Sequence, residues 1–167
     1  IQRRVLTHRL DTCREGIMDF VREPQPEYAA GIAAPTVFQG DAEELLCRLP
    51  RNYFRCCVTS PPYWGLRDYH ANGQIGAEGD PADYIDRLVS VFEEVRQALT
   101  DDGTFWLNIG DSYTSGNRAY RASDKKNPVR AMTYRPKTPD GLKPKDLVGI
   151  PWKLALALQH AGWYLRS

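Results

Sequence analysis

Ser60-Pro61-Pro62-Tyr63 is the segment whose residue types and spacing could do chemistry. Two successive prolines fix two φ angles, and Pro62 pushes Pro61 into an extended conformation. The Ser60 hydroxyl and the backbone carbonyls are then preorganised acceptors on a stiff loop, while the prolines supply no backbone donors. Such a site suits a ligand group that offers N–H donors, such as an exocyclic amine. Tyr63 adds a flat surface on which a base can stack. The same residues also read as a plain proline turn after a buried strand, with a tyrosine covering the core. Both readings stand at this level.

The flanking sequence has to hold that loop in place. Thr36–Gln39 is a short β-rich run ending in Gly40-Asp41. The segment 41–50 then reads as a helix, with Asp41 as N-cap, Glu44 in capping-box position and Pro50 as terminator. Residues 53–59, YFRCCVT, are nearly continuous in apolar character, as expected of a strand buried on both faces of a parallel sheet. They run directly into Ser60. Asp80-Pro81 signals a second helix start, after which Ile85, Leu88, Val89, Phe92, Val95 and Leu99 recur at 3.6-residue spacing. TDDG closes that helix and TFWLNIG (104–110) is the next strand. IPWKLALALQHAG (150–162) reads as a third helix, with Pro151 near its start and Gly162 at its end, and WYLRS opens a fourth strand.

This alternation predicts an α/β fold with a mostly parallel sheet and flanking helices. In such sheets ligands sit beyond the carboxyl ends of the strands. Gly40-Asp41, Ser60–Tyr63 and Gly110-Asp111-Ser112-Tyr113 all fall there, which makes them candidates for one site.

Composition places the chain of 167 residues among single-domain globular proteins: 42% of residues are hydrophobic, and mean hydropathy is −0.52. No apolar run approaches the roughly 20 residues of a membrane span, and the basic N-terminus lacks the apolar stretch of a secretory signal. The cytoplasm is the default location. Cys13, Cys47, Cys56 and Cys57 have no CxxC spacing and no paired histidines nearby, so they read as reduced, partly buried thiols rather than metal ligands.

Charge is unevenly spread. Between Thr114 and Lys145 nine basic residues face two acidic ones, a net +7 in a chain of net +1. Four prolines and two glycines interrupt the same stretch, so it reads as a long mobile basic loop. Interleaved with Tyr120 and Tyr134, its cations suit a nucleic-acid backbone, although a solvated linker explains the charge equally well. Residues 1–35 have weak helical character followed by a Pro/Ala/Gly-rich linker, and they read as an N-terminal extension. A start at Ile1 and an end in a nascent strand suggest a piece of a longer protein.

Four blocks, GDAEELLCRLP, TSPPYWGLRDY, GTFWLNIGDSY and KPKDLVGIPWKLALALQHAGWYLRS, occur in the order seen in one family. From about Thr36 to Ser167 the chain resembles the N-terminal half of DNA amino-methyltransferases of the permuted (β-type) class. These are the cytosine-N4 and adenine-N6 enzymes in which the catalytic loop precedes the cofactor-binding half. The resemblance implies a partial doubly wound, Rossmann-like fold and S-adenosyl-L-methionine as cofactor. Its partners would be double-stranded DNA and, where one accompanies it, a restriction endonuclease.

It further implies that Ser60 and the Pro61 carbonyl accept hydrogen bonds from the target amine, with Pro62 keeping the loop stiff and Tyr63 stacking on a flipped base. Gly40 and Asp41 would lie near the cofactor adenosine, Asp41 competing with its capping role. Trp64 and Asp111 would line the target-base pocket. Arg118, Arg121, Lys125, Lys126 and Arg130 would contact the DNA backbone. Serine in place of aspartate at position 60 favours cytosine-N4 over adenine-N6.

The family's glycine-rich FxGxG turn is missing from this sequence, since TDDGTF holds one glycine and precedes a strand. The chain alone is therefore expected to bind cofactor poorly. A catalytically silent nucleic-acid-binding domain on the same scaffold is the competing expectation. An RNA- or protein-amide methyltransferase would usually carry asparagine in the first loop position and the glycine-rich motif upstream.

Overall fold

The computed structural model describes residues 37–116, 125, 129, 132 and 134–166. Within them the order is α1 (Ala42–Leu46), β1 (Phe54–Thr59), α2 (Pro81–Ala98), β2 (Leu99–Leu107) and α3 (Ile150–His160). The two strands pair in parallel, which makes the described part an α/β unit.

Local sequence explains where the helices start. Asp80 is extended at φ −120° and its Oδ1 accepts from the Ala82 amide at 2.7 Å, while Pro81 occupies the first turn, where its missing N–H costs nothing. The apolar stripe of α2 is as the periodicity predicts for Ile85, Leu88, Phe92 and Val95, and Tyr84 and Val91 join it. Val89 is only half-buried. At the end of α3, Gly162 adopts φ 101°. Its amide donates to Gln159 O and the Trp163 amide to Leu158 O, the paired bonds of a Schellman stop.

The strand register shows how the sheet is buried. Cys57 pairs with Phe105 and Thr59 with Leu107 on one face, while Cys56 pairs with Thr104 and Val58 with Trp106 on the other. Phe105 and Leu107 pack on the core formed by α2 and α3, with Phe92 and Phe105 edge to face at 4.8 Å. The opposite face is open: Val58 is 76% and Trp106 64% exposed. The expectation that β1 is buried on both faces is therefore corrected, because the helices cover one side of this strand pair. The register shifts between Phe54 and Cys56, and β2 already begins at Leu99, so Thr100–Gly103, expected only to close the helix, lie within the strand.

Three other expectations change. Residues 37–39 form no strand, and Val37 is 90% exposed. A short β-rich run gains its ladder only from an adjacent edge. WYLRS forms none either: Trp163 turns onto Phe105 at 4.9 Å while Tyr164 stays 88% exposed. The first helix stops at Leu46, short of Pro50, and buries no residue completely. Residues 1–36 lie outside the described residues, as do Arg118, Arg121, Lys126 and Arg130 of the basic segment. No helix among the described residues is long and apolar enough to cross a membrane.

The core depends on fully enclosed side chains such as Leu88, whereas Leu156 on the outer face of α3 is 60% exposed. Leu88→Ala is expected to destabilise the fold by about 2–5 kcal/mol through lost burial and a residual cavity. Leu156→Ala should stay within about 0.5 kcal/mol. Urea unfolding midpoints compare the two, and equal losses would contradict this assignment of the core.

Candidate active site at the strand ends

Parallel pairing brings the two loops that leave β1 and β2 to one edge. The Asn108 amide still donates to Thr59 O at 2.9 Å, so the ladder continues to the residue before Ser60. The loop Ser60–Tyr63 and the segment Ile109–Tyr113 then lie side by side. Tyr63 packs its ring against Gly110, where a Cβ would fall 2.8 Å from Tyr63 Cε2. Any larger residue at position 110 would displace the ring. Ser60 is exposed, and its Oγ donates to Tyr63 Oη at 3.4 Å.

The loop is braced from α2. Tyr84 is completely buried, and its hydroxyl donates to Pro62 O at 2.8 Å. Burial, with the nearby Glu78 and Tyr63 adding to it, pushes the Tyr84 phenol well above its ordinary range, while a backbone hydrogen bond from Trp64 works against the rise. The hydroxyl therefore stays protonated and remains a donor at any physiological pH. With Pro62 O occupied, no hydrogen bond among the described residues engages the Pro61 carbonyl. The stiff loop thus presents the Ser60 hydroxyl and the Pro61 carbonyl as acceptors.

Sequence reasoning did not find Tyr84. The signal was a phenol inside the apolar stripe of a helix, because a buried hydroxyl needs a partner.

The other expected site residues have structural duties. Trp64 is buried in the core and its indole N–H donates to Glu78 O at 2.9 Å. It anchors the loop that follows Tyr63. Asp111 accepts from the Gly149 and Ile150 amides at 3.0 Å and from the Ser112 amide at 2.8 Å. It therefore ties the end of β2 to the start of α3, whose N-cap, Gly149, offers no side chain. Trp64 and Asp111 nonetheless line one pocket of about 240 Å³ beside the loop.

Asp41 caps α1, its Oδ1 accepting from the Glu43 and Glu44 amides at 2.9 and 3.2 Å. Gly40 and Asp41 are both exposed, and Lys125 is exposed as well. Burial, reinforced by Cys56, pushes the Cys57 thiol up, so it is a poor nucleophile. Cys56, expected to be partly buried, is exposed on the open sheet face.

If Asp111 carries the N-terminus of α3, Asp111→Ala should cost about 1–2 kcal/mol, as loss of a cap does. Amide exchange at Gly149 and Ile150 should accelerate, and Asp111→Asn should recover part of the loss. Unchanged exchange at both amides would exclude the capping role.

A family model described as DNA methylase, covering N6 and N4 amino-methyltransferases, matches residues 54–167. The Type II methyltransferase M.Cfr9I of Citrobacter freundii is 65% identical over 132 residues, 79% of this chain and 44% of that protein. M.XycI of Xanthomonas campestris pv. cyanopsidis is 62% identical over 147 residues, 88% of this chain and 48% of that protein. M.SmaI of Serratia marcescens is 63% identical over 131 residues, 78% and 45% of the two chains. The chain thus spans a little under half the length of these relatives. No solved structure matches it. With the model match extending from β1 through α3, the chain belongs to the DNA methylase family of N6 and N4 amino-methyltransferases.

Proposed function

We propose that this chain carries the catalytic-loop part of a site-specific DNA methyltransferase that modifies the exocyclic amine of a flipped base, cytosine N4 in preference to adenine N6. The observation that carries this reading is the braced loop at the end of β1. Tyr84 occupies the Pro62 carbonyl, and the Ser60 hydroxyl and Pro61 carbonyl are left as acceptors. Members of the family use S-adenosyl-L-methionine, which supplies an electrophilic methyl group when bound.

The residues present then act on the amine. Ser60 Oγ and Pro61 O each accept one of its N–H bonds, which draws the nitrogen toward tetrahedral geometry. Its lone pair leaves conjugation with the ring and becomes nucleophilic. Tyr63, supported from behind by Gly110, stacks on the base. Because the loop is already ordered by its prolines and by Tyr84, little reorganisation accompanies the reaction. Taking the base out of the duplex costs roughly a few kcal/mol, which contacts from the basic segment to the DNA backbone offset, Lys125 and the residues Arg118, Arg121, Lys126 and Arg130 among them. A neutral Ser60 adds no negative charge beside the base, in keeping with cytosine N4. No cysteine is required.

Asp41 fits the cofactor by the chemistry of its donor set. It is exposed, and the capping bonds engage only Oδ1, so Oδ2 can accept from a ribose hydroxyl. Gly40 precedes it without adding bulk. The remainder of the cofactor site, with its glycine-rich turn, belongs in this reading to further polypeptide that also covers the open sheet face and completes a doubly wound, Rossmann-like domain. The apolar exposure of Val58 and Trp106 supports that reading, as does a match spanning under half of each relative.

Methyl transfer from labelled cofactor to DNA by the full-length protein tests the reaction. Ser60→Ala should abolish transfer yet retain DNA binding. Tyr84→Phe, which loosens the loop without touching substrate, should lower kcat by on the order of tenfold with little change in KM. A full-length protein that binds DNA but transfers no methyl group would instead be a silent binding domain. Isothermal titration of residues 1–167 alone with S-adenosyl-L-methionine should show weak binding or none, and tight binding would refute the division of the cofactor site.

A further inference from the structure

We propose that the pocket lined by Arg135 and Lys137 beside the catalytic loop holds one phosphodiester of the DNA strand that carries the target base. The inference rests on the methyltransferase reading above and names where that strand is gripped. The pocket, of about 240 Å³, opens where three backbone segments meet. Trp64–Leu66 follow the catalytic loop directly, Asp111–Ser115 follow β2, and Arg135–Pro139 belong to the basic segment. A nucleotide whose base reached the Ser60–Tyr63 loop would bring its own backbone to this neighbourhood.

The basic segment is fastened at this point. Tyr134 Oη donates to Ala77 O at 3.0 Å, and Ser115 Oγ donates to Pro136 O at 3.2 Å. Pro136 packs on Gly65 so closely that a Cβ there would lie 2.9 Å from Pro136 Cγ. Thr114, at the start of the segment, is buried and donates from Oγ1 to Lys143 O. Described residues at both ends of the stretch thus bond to the fold, and Arg135 and Lys137 stand beside these ties.

Charge and hydrogen bonding then select the ligand. Arg135 Nε is buried and has no hydrogen-bond partner among the described residues. Arg135 also lines the pocket, and a phosphate oxygen is the acceptor whose geometry a guanidinium matches in a forked pair. Lys137 is exposed at the rim and supplies a second cation. The carboxylate in the pocket lining, Asp111, has its charge directed to the Gly149, Ile150 and Ser112 amides. A net positive, prearranged pocket one loop away from the amine acceptors suits a backbone phosphate, a contact that sets register rather than reads sequence.

The test uses the full-length protein and a duplex in which the methylated base has been mapped. Single neutral methylphosphonates are placed in turn at the phosphates around that base. For the wild-type protein, neutralising one phosphate flanking the base should weaken binding on the order of tenfold. Arg135→Gln should weaken binding to the unmodified duplex by a similar factor, and the same methylphosphonate should then cost nothing further. Lys137→Gln, at an exposed position that does not endanger folding, should reduce the slope of log K against log salt by about 0.9.

Penalties that simply add for Arg135→Gln and the methylphosphonate would overturn the proposal, as would an unchanged salt slope for Lys137→Gln. A wild-type protein that methylates DNA but ignores every flanking methylphosphonate defeats this inference alone. One that methylates no DNA defeats both this and the reading it rests on.

Discussion

Because β1 and β2 run parallel with Thr59 opposite Leu107, both strands end at the same edge, and the loops leaving them must share one space. Antiparallel pairing would have sent those loops to opposite ends of the sheet. The pairing is itself held by one apolar face, Cys57, Phe105 and Leu107, pressed on α2 and α3. Burial of that face sets the register, since a slip of one residue would turn the buried side chains out and expose Phe105. Everything that makes the strand ends chemically useful depends on this register, including the approach of Tyr63 to Gly110.

Around that edge the structure spends its buried polar groups on rigidity. Tyr84 reaches from α2 to the Pro62 carbonyl, Trp64 ties its indole to Glu78 O, and Asp111 gathers three amides at the junction of β2 and α3. The Tyr84 and Trp64 bonds, and those from the Gly149 and Ile150 amides to Asp111, join segments apart in sequence, so each removes a freedom that the chain would otherwise have. Acceptors that must first be arranged lose much of their electrostatic effect, so bonds of this kind keep the polar groups of the loop preorganised. The prolines stiffen the loop locally, and the tertiary hydrogen bonds hold it where the second loop can meet it.

The open face of the sheet has the opposite character. Val58 and Trp106 lie in register on it, and α3 turns Trp152 and Leu156 outward in the same unfinished way. Large apolar side chains exposed in this density are of the kind that another surface commonly covers. They also explain why the continuous apolar character of YFRCCVT suggested burial on both sides: that sequence is suited to a strand with two covered faces, and the described residues supply one cover.

Much of the arrangement was legible in the chain. The caps of α1 and α2 could be read from Asp41 and Asp80-Pro81, the stop of α3 from Gly162, and the buried stripe of α2 from its period, because those signals are local and each helix satisfies its own backbone. The Ser60–Tyr63 loop was legible for the same reason, since two prolines stiffen it wherever it stands. Strands at 37–39 and 163–166 were not decided locally. A strand exists only when another edge pairs with it, and no run of residues carries its partner with it.

The roles of Trp64, Asp111 and Tyr84 likewise depended on tertiary structure. Whether an indole packs or stacks on a base, and whether a carboxylate caps a helix or faces a ligand, is settled by which distant donors and acceptors arrive beside it. The sequence by itself determined the chemistry available at the loop. The tertiary structure decided which of its acceptors are already occupied and which remain to be used.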